Sequence, residues 1–130
     1  MDDFSWIALI VGALAFFLLG AIWYTFLFRN PWMADMGMDS NQPPQTPGPQ
    51  PLIGSFVSAL VLAAAVEYLV GSGDVKNGVC TGIAVGAAVA AVMGQNALYD
   101  PRPIRLWVIN AGYAFVGTVL VGVIAGAIQA

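Results

Sequence analysis

The sequence predicts an all-α integral membrane protein, a bundle of four transmembrane helices, on three observations. Hydrophobic residues make up 59% of the chain and charged residues only 8%, with a mean hydropathy of +0.81, whereas a soluble domain carries about a quarter charged residues. Four apolar segments reach the roughly 20 residues that a helix needs to cross a hydrocarbon core about 30 Å thick. Those segments are continuously apolar, and backbone groups in lipid must be paired internally, which fits helices and not the alternating strands of a barrel. The 130 residues form a single membrane domain.

The first span is expected over Phe4–Phe28. The N-terminal MDDFSW lacks the basic region of a secretory signal, and no small-x-small cleavage site followed by a soluble domain appears downstream, so the span is read as retained. It closes in GAIWYTFLFRNPWM, Gly20 to Met33. Trp and Tyr suit the headgroup level and an arginine can extend toward phosphates, so Trp23, Tyr24, Arg29 and Trp32 are read as interface anchors in preference to a ligand pocket. Pro31 is tolerated in a first helical turn and can start a short interfacial helix through Met38. The prolines of DSNQPPQTPGPQP, Asp39 to Pro51, predict a loop or semi-rigid strap. A proline-rich ligand for a recognition domain is the less favoured reading, because no basic residues lie near Gln42 to Pro51.

The second span, Leu52–Gly71, carries Ser55, Ala59, Ala63, Glu67 and Gly71 at four-residue spacing, a face expected to meet protein and not lipid. Glu67 is the only glutamate of the chain. A carboxylate inside a membrane is costly unless partnered, so Glu67 is either a proton or cation site, or a protonated donor to a neighbouring helix or a group hydrated near the boundary. The third span, Asn77–Leu98, repeats Gly78, Gly82, Gly86, Ala90 and Gly94 every fourth residue, a ridge for close helix packing that suits a right-handed crossing. Gly112, Gly117, Gly122 and Gly126 in the fourth span, Ile104–Ile128, imply packing on two sides. GSGDVKNG and YDPRP read as tight turns, and the former lacks the Gly-Lys-Ser/Thr ending and preceding strand of a phosphate loop.

Asn110, with Gln95 and Asn96 at the end of the third span, forms a second polar group, read as interhelical bonding before ligand binding. Asn110 and Tyr113 share a helical face. The basic residues are Arg29, Lys76, Arg102 and Arg105, too few and scattered for a nucleic-acid footprint. Arg29, Arg102 and Arg105 flank the first and third connections against Lys76 in the second, which favours both termini outside the cytoplasm, although Asp35, Asp39 and Asp100 share the basic side. Histidine is absent and Cys80 stands alone, so zinc sites and most nucleophilic chemistry have no residues to work with. Cys80 is read as a small packing residue. No enzyme, cofactor or metal is expected.

WYTFLFRNPWM and RLWVINAGYAFVGTVLVG together resemble the small bacterial integral-membrane proteins grouped as domain of unknown function 1761. Trp23, Tyr24, Trp32, Asn110, Gly112 and Tyr113 carry the likeness, which covers nearly the whole chain. Arg29-Asn30 departs from an expected Gly-Lys-like pair, and the proline-rich loop looks peculiar to this chain. The resemblance implies a four-helix protein of a bacterial cytoplasmic (inner) membrane and brings no established activity. Two function classes are expected. The preferred one is a structural or accessory membrane protein surrounded by lipid that packs with itself or with a larger membrane complex. The alternative is a minimal oligomeric transporter or channel for a proton, ion or small polar solute that uses Glu67.

Overall fold

A computed structural model describes residues 5–35, 49–71, 73–101 and 103–129. They form α1 (Trp6–Ile22), a π-helical turn (Trp23–Leu27), α2 (Arg29–Asp35), α3 (Pro49–Val70), α4 (Val75–Leu98) and α5 (Ile104–Gln129). The four long helices are long and apolar enough to cross a membrane. The fold is the four-span bundle expected, and the described residues contain no strand.

Helix ends follow local chemistry. Ser5 caps α1 by accepting from the Ala8 amide at 3.1 Å, and Asp74 caps α4 by accepting from the Asn77 amide at 3.0 Å. Between α3 and α4, Gly71 adopts a left-handed φ of 58° that a side chain would resist, which lets the chain reverse. After α4, Pro101 cannot continue a helical ladder, and the Leu106 amide restarts one on the Pro103 carbonyl.

α1 runs antiparallel to α5, with Gly12 on Val121 and Gly20 on Tyr113, and to α3, with Gly12 on Ala63 and Phe17 on Phe56; α4 runs antiparallel to α5, with Gly78 on Gly122 and Gly94 on Trp107. The described chain ends, Ser5 and Gln129, therefore lie at one end of the bundle. α5 touches α1, α3 and α4. The core between α1, α3 and α5 is built from Leu9, Ala13, Ala59, Ala63, Val66, Val70, Val121 and Ala125. Larger side chains such as Ile7, Ile10, Leu18, Phe26 and Leu69 point outward. A soluble protein sorts these sizes the other way, but in lipid the outward surface has no cost and close approach through small residues supplies the packing energy.

The glycine spacing is explained by α5. A Cβ on Gly82 would stand 2.7 Å from the Val119 Cα and 2.9 Å from the Thr118 carbonyl oxygen, so here two backbones touch. Gly78 faces Gly122 in the same way, while Gly86 accepts Phe115 and Gly94 accepts the Trp107 ring. The two-sided packing expected for the fourth span also holds: Gly122 and Gly126 face α4, and Gly112 and Gly117 face Trp23 and Phe16.

Other expectations need correction. The small-residue ridge of α3 is buried at Ala59, Ala63 and Glu67, but Ser55 is exposed along with all of Leu52–Ser58. α3 leaves its neighbours toward its N-terminal end, where Phe56 against Phe17 is a remaining contact. Cys80, expected to pack, is exposed on α4. The short interfacial helix begins at Arg29, before Pro31, and is described as far as Asp35; Met36–Met38 and most of the proline-rich loop lie outside the described residues, as does Arg102.

Candidate functional site

The first span does not end as a simple α-helix. At Trp23–Leu27 the ladder widens, and the Phe28 amide reaches back five residues to the Trp23 carbonyl at 2.9 Å. Both aromatic neighbours that open this turn meet α5. The Trp23 indole donates to the Ile109 carbonyl at 3.0 Å, and the Tyr24 hydroxyl donates to Asn110 Oδ1 at 2.8 Å. One helical turn on, the Tyr113 hydroxyl donates to the Phe16 carbonyl at 3.0 Å.

Glycines make room for these rings. A Cβ on Gly20 would stand 2.9 Å from the Tyr113 hydroxyl oxygen, and one on Gly112 would stand 3.2 Å from the Trp23 ring. Tyr24 meets Tyr113 edge-on at 5.5 Å between centroids, and Trp32 of α2 closes on Tyr24 at 5.7 Å. Trp23 and Tyr24 thus tie the end of the first span to α5 through directed bonds, and Trp32 joins α2 to Tyr24 by a ring contact. Arg29 opens α2 and is half-buried.

A bidentate ion pair fixes α2. Arg105 donates through Nε to Asp35 Oδ2 at 2.8 Å and through a terminal nitrogen to Asp35 Oδ1 at 2.7 Å, with Asp35 buried and Arg105 largely exposed. The Arg105 hydrogen bonds hold the Asp35 carboxyl below its ordinary value of 3.8, with the cation's charge acting in the same direction. A depressed folded-state pKa stabilises α2 docking above the ordinary value, and that contribution is lost as pH falls through the folded-state one. Acid titration is therefore expected to loosen α2 only below about pH 4. Hydrogen exchange of the α2 amides checks this, and in Asp35→Asn the amides should exchange fast at neutral pH without the acid step.

The amide group expected from sequence is only partly assembled. Asn96 and Asn110 line one pocket of about 200 Å³ between α4 and α5, together with Met93, Ala97, Asp100, Pro103, Leu106 and Trp107. Gln95 is exposed and takes no part in that lining. Successive helical residues point about 100° apart, so Gln95 and Asn96 cannot share a face. Trp107, not singled out from sequence, donates its indole N–H to the Ala90 carbonyl at 3.1 Å and forms one wall.

Glu67 lies at the opposite end of the bundle. It is 1% exposed, and its Oε1 accepts the backbone N–H of Ser5 at 2.8 Å. In a capping box a glutamate three residues into the helix returns to the cap residue's amide. Here α3 supplies that carboxyl from another helix, at the partially positive end of α1. One sequence reading has Glu67 donate to a neighbouring helix, whereas toward Ser5 at the start of α1 it accepts.

Sequence reading missed the π-helical turn, the Asp35–Arg105 pair and the pocket. Opposite charges flanking the first and last spans were a usable signal for the pair. No residue pattern announced the turn.

These features define a multi-pass membrane protein whose helices are tied by an aromatic and amide clasp at one end and a carboxyl cap at the other. The chain belongs to the family described as "Protein of unknown function (DUF1761)", which matches residues 7–126. Neither a curated protein nor a solved structure matches it.

Proposed function

We propose that this chain is a non-catalytic structural or accessory membrane protein that packs with itself or within a larger complex of the bacterial cytoplasmic membrane, both termini outside the cytoplasm. The observation that carries the reading is how the polar groups inside the spans are used. Glu67 holds the start of α1, Asn110 holds Tyr24, and Tyr113 holds the Phe16 carbonyl. Groups serving a transport route must exchange partners with solute, whereas these bond helix to helix.

The outward face of α4 supports assembly. Its inner face is used by α5, yet Cys80, Ala84, Ala87, Ala88 and Ala91 are exposed at helical spacing and end at the exposed amide of Gln95. Small residues with a terminal amide suit a second helix at close range better than they suit acyl chains. Lipid covers the larger outward residues of α1 and α3.

Native mass spectrometry of protein extracted gently from its own membrane tests this. A homo-oligomer, or a stoichiometric foreign subunit, is expected, and Ala88→Leu, which adds bulk only outward, should shift a homo-oligomer toward monomer. A monomer carrying lipid alone would overturn the reading.

A further inference from the structure

The pocket between α4 and α5 is space that helix packing leaves, about 200 Å³ in volume. Whole small-molecule sites run from about 300 Å³ upward, so this one has room for part of a molecule and not for a complete ligand. Its depth in the membrane selects which part. The spans that border it end at Leu98 and begin again at Ile104. Asn96 lies two residues inside Leu98, roughly 3 Å, and Asn110 lies six residues inside Ile104, roughly 9 Å, at about 1.5 Å per residue along a helix. Both amides therefore sit within the apolar length of the spans, below the polar layer where headgroup phosphates and charges reside. Met93, Leu106 and Trp107 supply apolar walls beside them.

What the amides require of an occupant follows from their bonds. The Oδ1 of Asn110 is taken by the Tyr24 hydroxyl at 2.8 Å, so the function this side chain has left to offer is its Nδ2 group, a donor. Asn96 is exposed, and its amide can donate as well. Asp100, at the mouth, already has an interaction of its own and sets no demand for a cation. An occupant must therefore bring acceptor oxygens to the two amides, with apolar substance continuing from them. An acyl chain alone offers no acceptor. A phosphate offers acceptors but stays in the headgroup layer. The part of a bilayer lipid that combines both at this level is the ester linkage, where a carbonyl oxygen opens each acyl chain.

We propose that this pocket holds the glycerol ester linkages of a diacyl lipid, with Asn110 Nδ2 and the Asn96 amide donating to the ester carbonyl oxygens and the first methylenes lying against Met93 and Leu106. The site reads the linkage and not the headgroup. The aromatic clasp then has a second consequence: by taking the Asn110 oxygen, Tyr24 leaves the donor of that amide for the lipid.

The test places the full chain in nanodiscs made of equal parts diacyl phosphatidylcholine and the dialkyl ether lipid of the same headgroup and chain length, with retained lipid read by native mass spectrometry. The ether lipid lacks both carbonyl oxygens and is otherwise alike. Retention of the ester lipid over the ether lipid by about tenfold is expected, the scale of one or two neutral hydrogen bonds. Asn110 variants lose the Tyr24 bond and can loosen the clasp, so two other positions carry the test. Asn96→Ala removes an exposed donor and should cut the preference several-fold, and Ala97→Leu fills the pocket from its own wall and should abolish it. Equal retention of the two lipids by the wild-type chain, or a preference unchanged in either variant, overturns the proposal.

Discussion

Gly82→Val is expected to force α4 away from α5 and to destabilise the bundle by about 1–3 kcal/mol, the usual penalty for overfilling a tightly packed contact. The direction follows from what the new side chain meets: the Val119 Cα at 2.7 Å and the Thr118 carbonyl oxygen at 2.9 Å from the first added carbon. Both are backbone atoms of a helix that α1 and α3 hold from behind, so neither can rotate aside. Gly54 is the control, since a Cβ there meets nothing within 4 Å, and Gly54→Val should be neutral or stabilising by roughly a few tenths of a kcal/mol, because valine has a better helix preference than glycine. Thermal or denaturant unfolding in a mild detergent measures the two side by side. Gly82→Val as stable as Gly54→Val would mean that α4 does not lie against α5 as described.

The second large effect is at Glu67. Glu67→Leu removes the acceptor of the Ser5 amide and places an apolar side chain where the start of α1 needs a hydrogen bond. Leaving a desolvated donor unpaired costs about 1–3 kcal/mol. Glu67→Gln keeps an amide oxygen that can accept the Ser5 N–H, so the start of α1 stays capped. Leucine should therefore be clearly worse than glutamine, with fast hydrogen exchange confined first to the opening turn of α1. Equal effects of the two variants would contradict a capping role.

What could be read from sequence and what could not divide along physical lines. The spans were legible because a bilayer demands an apolar run of fixed length, and the runs ending at Phe28 and Leu98 satisfy it without any tertiary knowledge. The α4 ridge was legible because Gly78, Gly82 and Gly86 repeat at the helical period, and glycine has no lipid-facing use that would explain the repeat. Glu67 was legible as a feature but not as a cap, since its partner is the backbone amide of Ser5 and main-chain groups leave no mark in a sequence. The clasp was half legible. Asn110 and Tyr113 share a face by spacing alone, whereas the meeting of Trp23 and Tyr24 with the same helix is a contact between elements far apart in sequence, beside a wider turn that neither residue announces. Gln95 and Asn96 show the limit from the other side: neighbours in sequence, they point to different surroundings.

Across both ends of the bundle, Glu67, Asn110 and Tyr113 bond helix to helix, and their use as ties and not as a solute path is the central claim. It is tested most directly by measuring proton flux into proteoliposomes under an imposed pH gradient, with the wild-type chain and Glu67→Gln reconstituted at equal density. The account predicts the same flux for both, at the level of protein-free vesicles. A wild-type flux that Glu67→Gln abolishes while its fold stays intact would contradict the account and make Glu67 a transport site.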